Sequence, residues 1–90
     1  MKTIHRFPLE GRDPRGFVLS LPAQAQILHV GLRPSDGIPS VWVLFSLEAP
    51  VVNRLFVIIG TGWNIDKDPG RYVGTFMVGP MVWHLFESVL

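Results

Sequence analysis

Alternation of apolar and polar side chains, in runs too short for a helix and each closed by proline or glycine, is the feature that most constrains this chain. Residues two apart share a face of a strand, whereas a helical face recurs every three to four residues. In Gly16–Leu21, Phe17, Leu19 and Leu21 lie on one side, Val18 and Ser20 on the other, and Pro22 ends the run. Lys2–Phe7 sets Ile4 against His5 and Phe7, and Pro8 stops it or marks an edge. In Ala25–Arg33, Leu28, Val30 and Leu32 alternate with Ile27, His29 and Gly31, the glycine marking a bulge. The helix formers of Pro22–Leu28 do not prevail, because β-branched residues and Gly31 follow within one helical length.

Turn chemistry separates these runs. Pro34 presets φ, Asp36 can bond its own backbone and Gly37 supplies a positive φ, so Arg33–Pro39 predicts a hairpin. Ser40–Leu47 and Arg54–Gly60 are apolar on both faces, as strands covered on both sides are, with a second subunit as one possible cover. With Glu48–Asn53 as the turn between them, they are expected to be hairpin partners at the centre of the sheet. Arg71–Val78 and Met81–Glu87, joined at Gly79-Pro80, form a further hairpin. Seven short strands with turns between them predict an all-β single domain over residues 1–90, an antiparallel sandwich or small barrel with little or no helix.

Charge narrows the partners. Only 17% of residues are charged, against about 25% in a typical domain, while 48% are apolar. A chain this short has too little interior to hide so much apolar surface, so a homo-oligomer or a tight partner is expected. Eight basic against seven acidic residues leave a net charge of +1, too little for a long-range field toward nucleic acid in general or toward an anionic membrane. The absence of cysteine excludes disulfides, thiolate zinc sites and thiol nucleophiles. Charges and prolines interrupt MKTIHRFPLEGRDPRG where a secretory signal needs an apolar core, and Pro22, Gln24 and Gln26 interrupt Gly16–Leu32 as a membrane span. A cytoplasmic location follows as the expectation.

The residues with chemistry to offer concentrate in Gly60–Thr75, GTGWNIDKDPGRYVGT. Gly60-Thr61-Gly62 leaves an apolar run as anion-binding nests do, yet lacks the third glycine of a dinucleotide fingerprint and the lysine of a Walker loop; a tight exit from a strand explains it better. Asp66 and Asp68 are too few for a calcium loop, and Asp68-Pro69-Gly70 is turn chemistry, with Asp66 expected to cap amides in its own loop. Three histidines, His5, His29 and His84, fall on separate runs, and His84 shares an apolar row with Val82 and Phe86, as a hydrogen-bonded structural histidine does. No serine or threonine stands in a nucleophile elbow. No enzyme, metal or cofactor is expected. The candidate binding residues are Thr61, Trp63, Asp66, Arg71 and Tyr72: rings that can stack or fill a pocket, beside a guanidinium that pairs with phosphate or carboxylate.

MKTIHRFPL, LPAQAQILHV, GTGWNIDKDPGRYVGTF and WHLFE together resemble an uncharacterised family of small proteins encoded in bacteriophages and prophages, over nearly the whole chain. Relatives in that family carry a histidine in the first half of the loop, where this chain has Trp63-Asn64. The resemblance implies a phage or mobile-element context in a bacterial cytoplasm. A non-enzymatic accessory protein is then expected, one that counters host defence by occluding a host protein complex or by sequestering a small signalling nucleotide. The alternative is a virion assembly component built through its β-rich faces.

Overall fold

The computed structural model describes residues 1–9 and 11–89 and contains seven strands: β1 (Lys2–Pro8), β2 (Phe17–Pro22), β3 (Gln26–Leu32), β4 (Pro39–Ser46), β5 (Val51–Gly60), β6 (Arg71–Val78) and β7 (Met81–Ser88). They form two antiparallel sheets, one ordered β1-β4-β3 and the other β2-β5-β7-β6. The fold is a sandwich, and its smallest dimension, 19 Å, is that of two stacked sheets with their side chains. The described residues include no α-helix, and thus no helix long and apolar enough to cross a membrane.

The alternation explains the core. Leu19 and Leu21 from β2, Val41 and Val43 from β4, Phe56 from β5 and Leu85 from β7 are buried between the sheets. Phe17 stacks on Phe56, with ring centroids 5.9 Å apart. Each fully buried side chain of this size contributes about 1.5–3 kcal/mol. The sheets meet closely where Val30 of β3 faces Gly74 of β6: a side chain at Gly74 would overlap Val30 Cγ1. There β6 is also irregular, its pairing with β7 shifting register between Tyr72 and Gly74.

Two sequence expectations hold in detail, the β3–β4 hairpin through Arg33–Pro39 and the β6–β7 hairpin at Gly79-Pro80. In the first turn Asp36 Oδ1 accepts from the Ile38 amide at 3.1 Å, and Gly37 has φ 73°. Others are corrected. β4 and β5 are not hairpin partners: Leu47–Pro50 carries the chain from one sheet to the other, so that β4 lies between β1 and β3 and β5 between β2 and β7. β5 begins at Val51, not Arg54, because Asn53 is held in the sheet opposite Ser20, whose hydroxyl donates to Asn53 Oδ1 at 2.9 Å. The bulge in β3 falls between Ile27 and His29. It turns Leu28 outward, and Gly31 instead makes room for the His29 ring, whose Nε2 lies where a side chain would go.

Candidate functional site

β5 and β6 each run antiparallel to β7, which lies between them, so they are parallel to each other. Thr61–Gly70 is therefore a crossover that must travel the length of β7. It leaves β5 in a tight turn: the Trp63 amide donates to Gly60 O at 3.1 Å, and Gly62 takes φ 90°. It arrives at β6 through Asp68-Pro69-Gly70, where Asp68 Oδ1 accepts from the Gly70 amide at 2.8 Å. Gly70 has φ 103°, and a side chain there would run into the Glu87 carbonyl. Ser88 Oγ donates to Pro69 O, pinning the crossover to β7.

Phe56 points into the core, so Leu55, Val57 and Ile59 point to the opposite face of the sheet. These three and loop residues from Trp63 to Pro69, with Arg15 and Gly16 at one margin and Ser88 and Val89 at another, line a groove of about 610 Å³. That volume lies within the range of about 300–1,000 Å³ for sites that hold small molecules or side chains. Floor and wall differ in character: the floor is aliphatic, while the wall mixes Trp63, Ile65 and Pro69 with the exposed polar residues Asn64, Asp66, Lys67 and Asp68. The second cover of β5 comes, in part, from its own chain.

Beside the start of the crossover runs a hydrogen-bonded chain. Thr61 Oγ1 donates to Val82 O at 3.1 Å, so toward His84 Nε2, 2.8 Å away, it can only accept. Nε2 therefore carries a proton, and in the neutral ring Nδ1 accepts from Thr75 Oγ1 at 3.0 Å. Thr75 Oγ1 in turn accepts from the Tyr72 hydroxyl at 2.6 Å. Every hydroxyl proton in the chain is used once. Both ring nitrogens of His84 are engaged, an arrangement that fixes the ring and ties β5, β6 and β7 together on their outer face.

At the other end of β7, Arg54 grips Glu87 with two donors, Nε to Oε2 at 2.6 Å and Nη2 to Oε1 at 2.7 Å, and reaches Ala25 O with Nη1 at 2.8 Å. Arg71 adds a bond from Nη2 to Oε1 at 2.8 Å. The hydrogen bonds from Arg54 hold the Glu87 carboxyl below the usual carboxylate range, against the opposing effect of partial burial, and the one from Arg71 adds to them.

The five sequence candidates thus fall in three places. Trp63 and Asp66 line the groove. Trp63 is half exposed and meets Trp83 edge-on, 5.4 Å between centroids, across the bare backbone of Gly60. Thr61 and Tyr72 belong to the His84 chain. Arg71 sits on Glu87, away from Trp63. The cap expected of Asp66 is made by Asp68. Sequence reasoning missed the groove floor, Leu55, Val57 and Ile59; its only signal was the doubly apolar pattern of that strand.

No curated protein and no solved structure matches the chain. A family model does, over residues 1–90, and the chain belongs to that family, described as a domain of unknown function, DUF7352.

Proposed function

We propose that this member of the family is a non-enzymatic binding protein that seats an extended, apolar segment of a partner protein in the groove beneath its crossover loop. The observation that carries the reading is the pairing of an aliphatic floor, Leu55, Val57 and Ile59, with a wall that sets Trp63 and Ile65 among polar residues, at the volume of a binding site. Interfaces combine such a desolvated centre with a polar rim, and aromatic anchors such as Trp63 dominate their energetics. The engagement of both His84 ring nitrogens supports positioning of the sheet rather than proton transfer.

In the phage or mobile-element context that the sequence resemblance implies, the partner is a host defence complex in the bacterial cytoplasm, occluded by this protein. Self-association is the companion proposal. Tyr72 and Met77, 56% and 63% exposed on the outer face of edge strand β6, are the apolar surface that a second copy would cover.

The test is an array of octapeptides alternating Leu or Val with polar residues, with binders quantified by fluorescence polarisation. Wild type binds a subset, and Val57→Lys and Trp63→Ala lose that binding while keeping the thermal midpoint. Binding of no octapeptide, or undiminished binding by both variants, refutes the proposal. A parallel thermal-shift screen covers cyclic dinucleotides: stabilisation of about 2.7 kcal/mol at a hundredfold excess over Kd, lost in Trp63→Ala, would replace the peptide with a nucleotide.

A further inference from the structure

The outward face of the three-stranded sheet lies on the side of the sandwich away from the groove. None of its strands, β1, β3 or β4, contains an aspartate or glutamate, so the chain's near-neutral total conceals a segregation. Inward positions are settled by Val41, Val43 and Phe45, all buried. Their neighbours in β4, Trp42 and Leu44, therefore face outward, with Lys2, Ile4 and Arg6 of β1 on the same side by register. Trp42 pairs with Arg6 on one side and His29 on the other, so a guanidinium, an indole and an imidazole form one row across the sheet.

The row is built rather than incidental. Arg6 is anchored through Nη1 to Ser40 Oγ at 2.9 Å, and Ser40, fully buried, donates onward to Ile38 O at 3.0 Å. The remaining Arg6 donors have no protein partner among the described residues. His29 lies against Trp42 with centroids 5.6 Å apart, in the space that Gly31 leaves open. Among the described residues, the carboxylates at the margins of the sheet are already engaged, Asp36 by Arg33 and Glu48 by Ser46 Oγ and the Met1 amino group.

We infer that this face binds single-stranded nucleic acid, with a base stacked on Trp42 and backbone phosphates held by Arg6 and Lys2. An aromatic platform flanked by cations is the chemistry that unpaired bases and their backbone require, and any base offers a π-face to it. Duplex is disfavoured because its bases are not free to stack, and the low net charge gives no compensating field. An acidic protein surface would satisfy the cations but leave the indole without a partner. The small total charge predicts weak, short-range binding. With two phosphates neutralised, the single-strand salt dependence amounts to roughly a sevenfold loss of affinity between 50 and 200 mM salt.

Fluorescence anisotropy with labelled dT20 and rU20, alone and annealed to their complements, tests this on the full chain. Single strands bind and duplexes bind at least tenfold more weakly. Trp42→Leu weakens binding about tenfold or more, the loss of one stacked base. Lys2→Gln, at an exposed position, weakens it and flattens the salt slope, while Lys67→Gln, on the groove side, leaves it unchanged. No binding at 50 mM salt, equal binding of duplex, or equal loss in Lys67→Gln overturns the inference. So does binding only to phosphatidylserine vesicles, which would make the face a lipid contact. The groove proposal stands or falls separately, since neither Val57 nor Trp63 touches this face.

Discussion

Substituting Gly74 by alanine tests how the two sheets stack. The added methyl would overlap Val30 Cγ1, which is buried, and would lie 3.7 Å from Val30 Cβ. Gly74 does not have a positive φ, so packing alone determines the cost. Overpacking of a filled core costs about 1–3 kcal/mol. Val30→Ala removes two methyl groups, about 1.6 kcal/mol of transfer free energy at about 0.8 each, and a cavity penalty brings the loss to about 2–3 kcal/mol. In the double variant the new methyl occupies the vacated space, leaving a net loss of one methyl, about 1 kcal/mol. The two single losses therefore exceed the double by about 2–5 kcal/mol, a coupling expected only of residues in contact. Urea unfolding followed by tryptophan fluorescence gives all four stabilities. Additive losses would show that β3 and β6 do not meet face to face, and the stacking described above would be wrong.

Two further outcomes are expected. Gly70→Ala, strained by its positive φ and by the Glu87 backbone, destabilises by about 2–4 kcal/mol in the same unfolding assay, or detaches the crossover from β7, seen as faster amide exchange at residues 61–70; an unchanged stability and exchange pattern would contradict the close approach. The Glu87 carboxyl is lowered in the folded state, so its contribution is complete above the unfolded glutamate pKa of about 4.3 and is lost as pH falls through the lower folded value. Wild type thus loses stability in acid more steeply than Glu87→Gln, and parallel pH profiles for the two would remove Glu87 as an acid-sensitive group.

The strands were legible because period-two patterning and turn chemistry are both local. Phe17, Leu19 and Leu21 could face only one way, and Asp36-Gly37 could make only a tight turn. Partner choice was not legible. β4 and β5 are both apolar on two sides, and Glu48-Ala49-Pro50 would serve a hairpin or a change of sheet equally well; the outcome depends on β1, β2 and β7, far along the chain. Asn53 illustrates a propensity overridden, since a turn former was kept in the sheet by Ser20 on a strand formed much earlier. In the site, the composition of the loop pointed to Trp63 and Asp66. The floor of the groove lies on a strand outside the loop that holds the polar residues, and the hydroxyls about His84 depend on Thr61 of the crossover and Thr75 of β6 converging, which no short window of sequence contains.

The crossover between β5 and β6 also sets an order of assembly. Those two parallel strands are synthesised before β7 and must leave a gap one strand wide, which β7 fills. Until it does, β5 and β6 present facing, unpaired edges, and the core lacks Leu85. An open slot of that shape accepts any strand of suitable pattern, and the commonest such strand nearby is the β7 of another copy. The same insertion that completes the monomer therefore offers a route to exchanged dimers, and a chain crowded during synthesis is most exposed to it in the interval before residue 81 arrives.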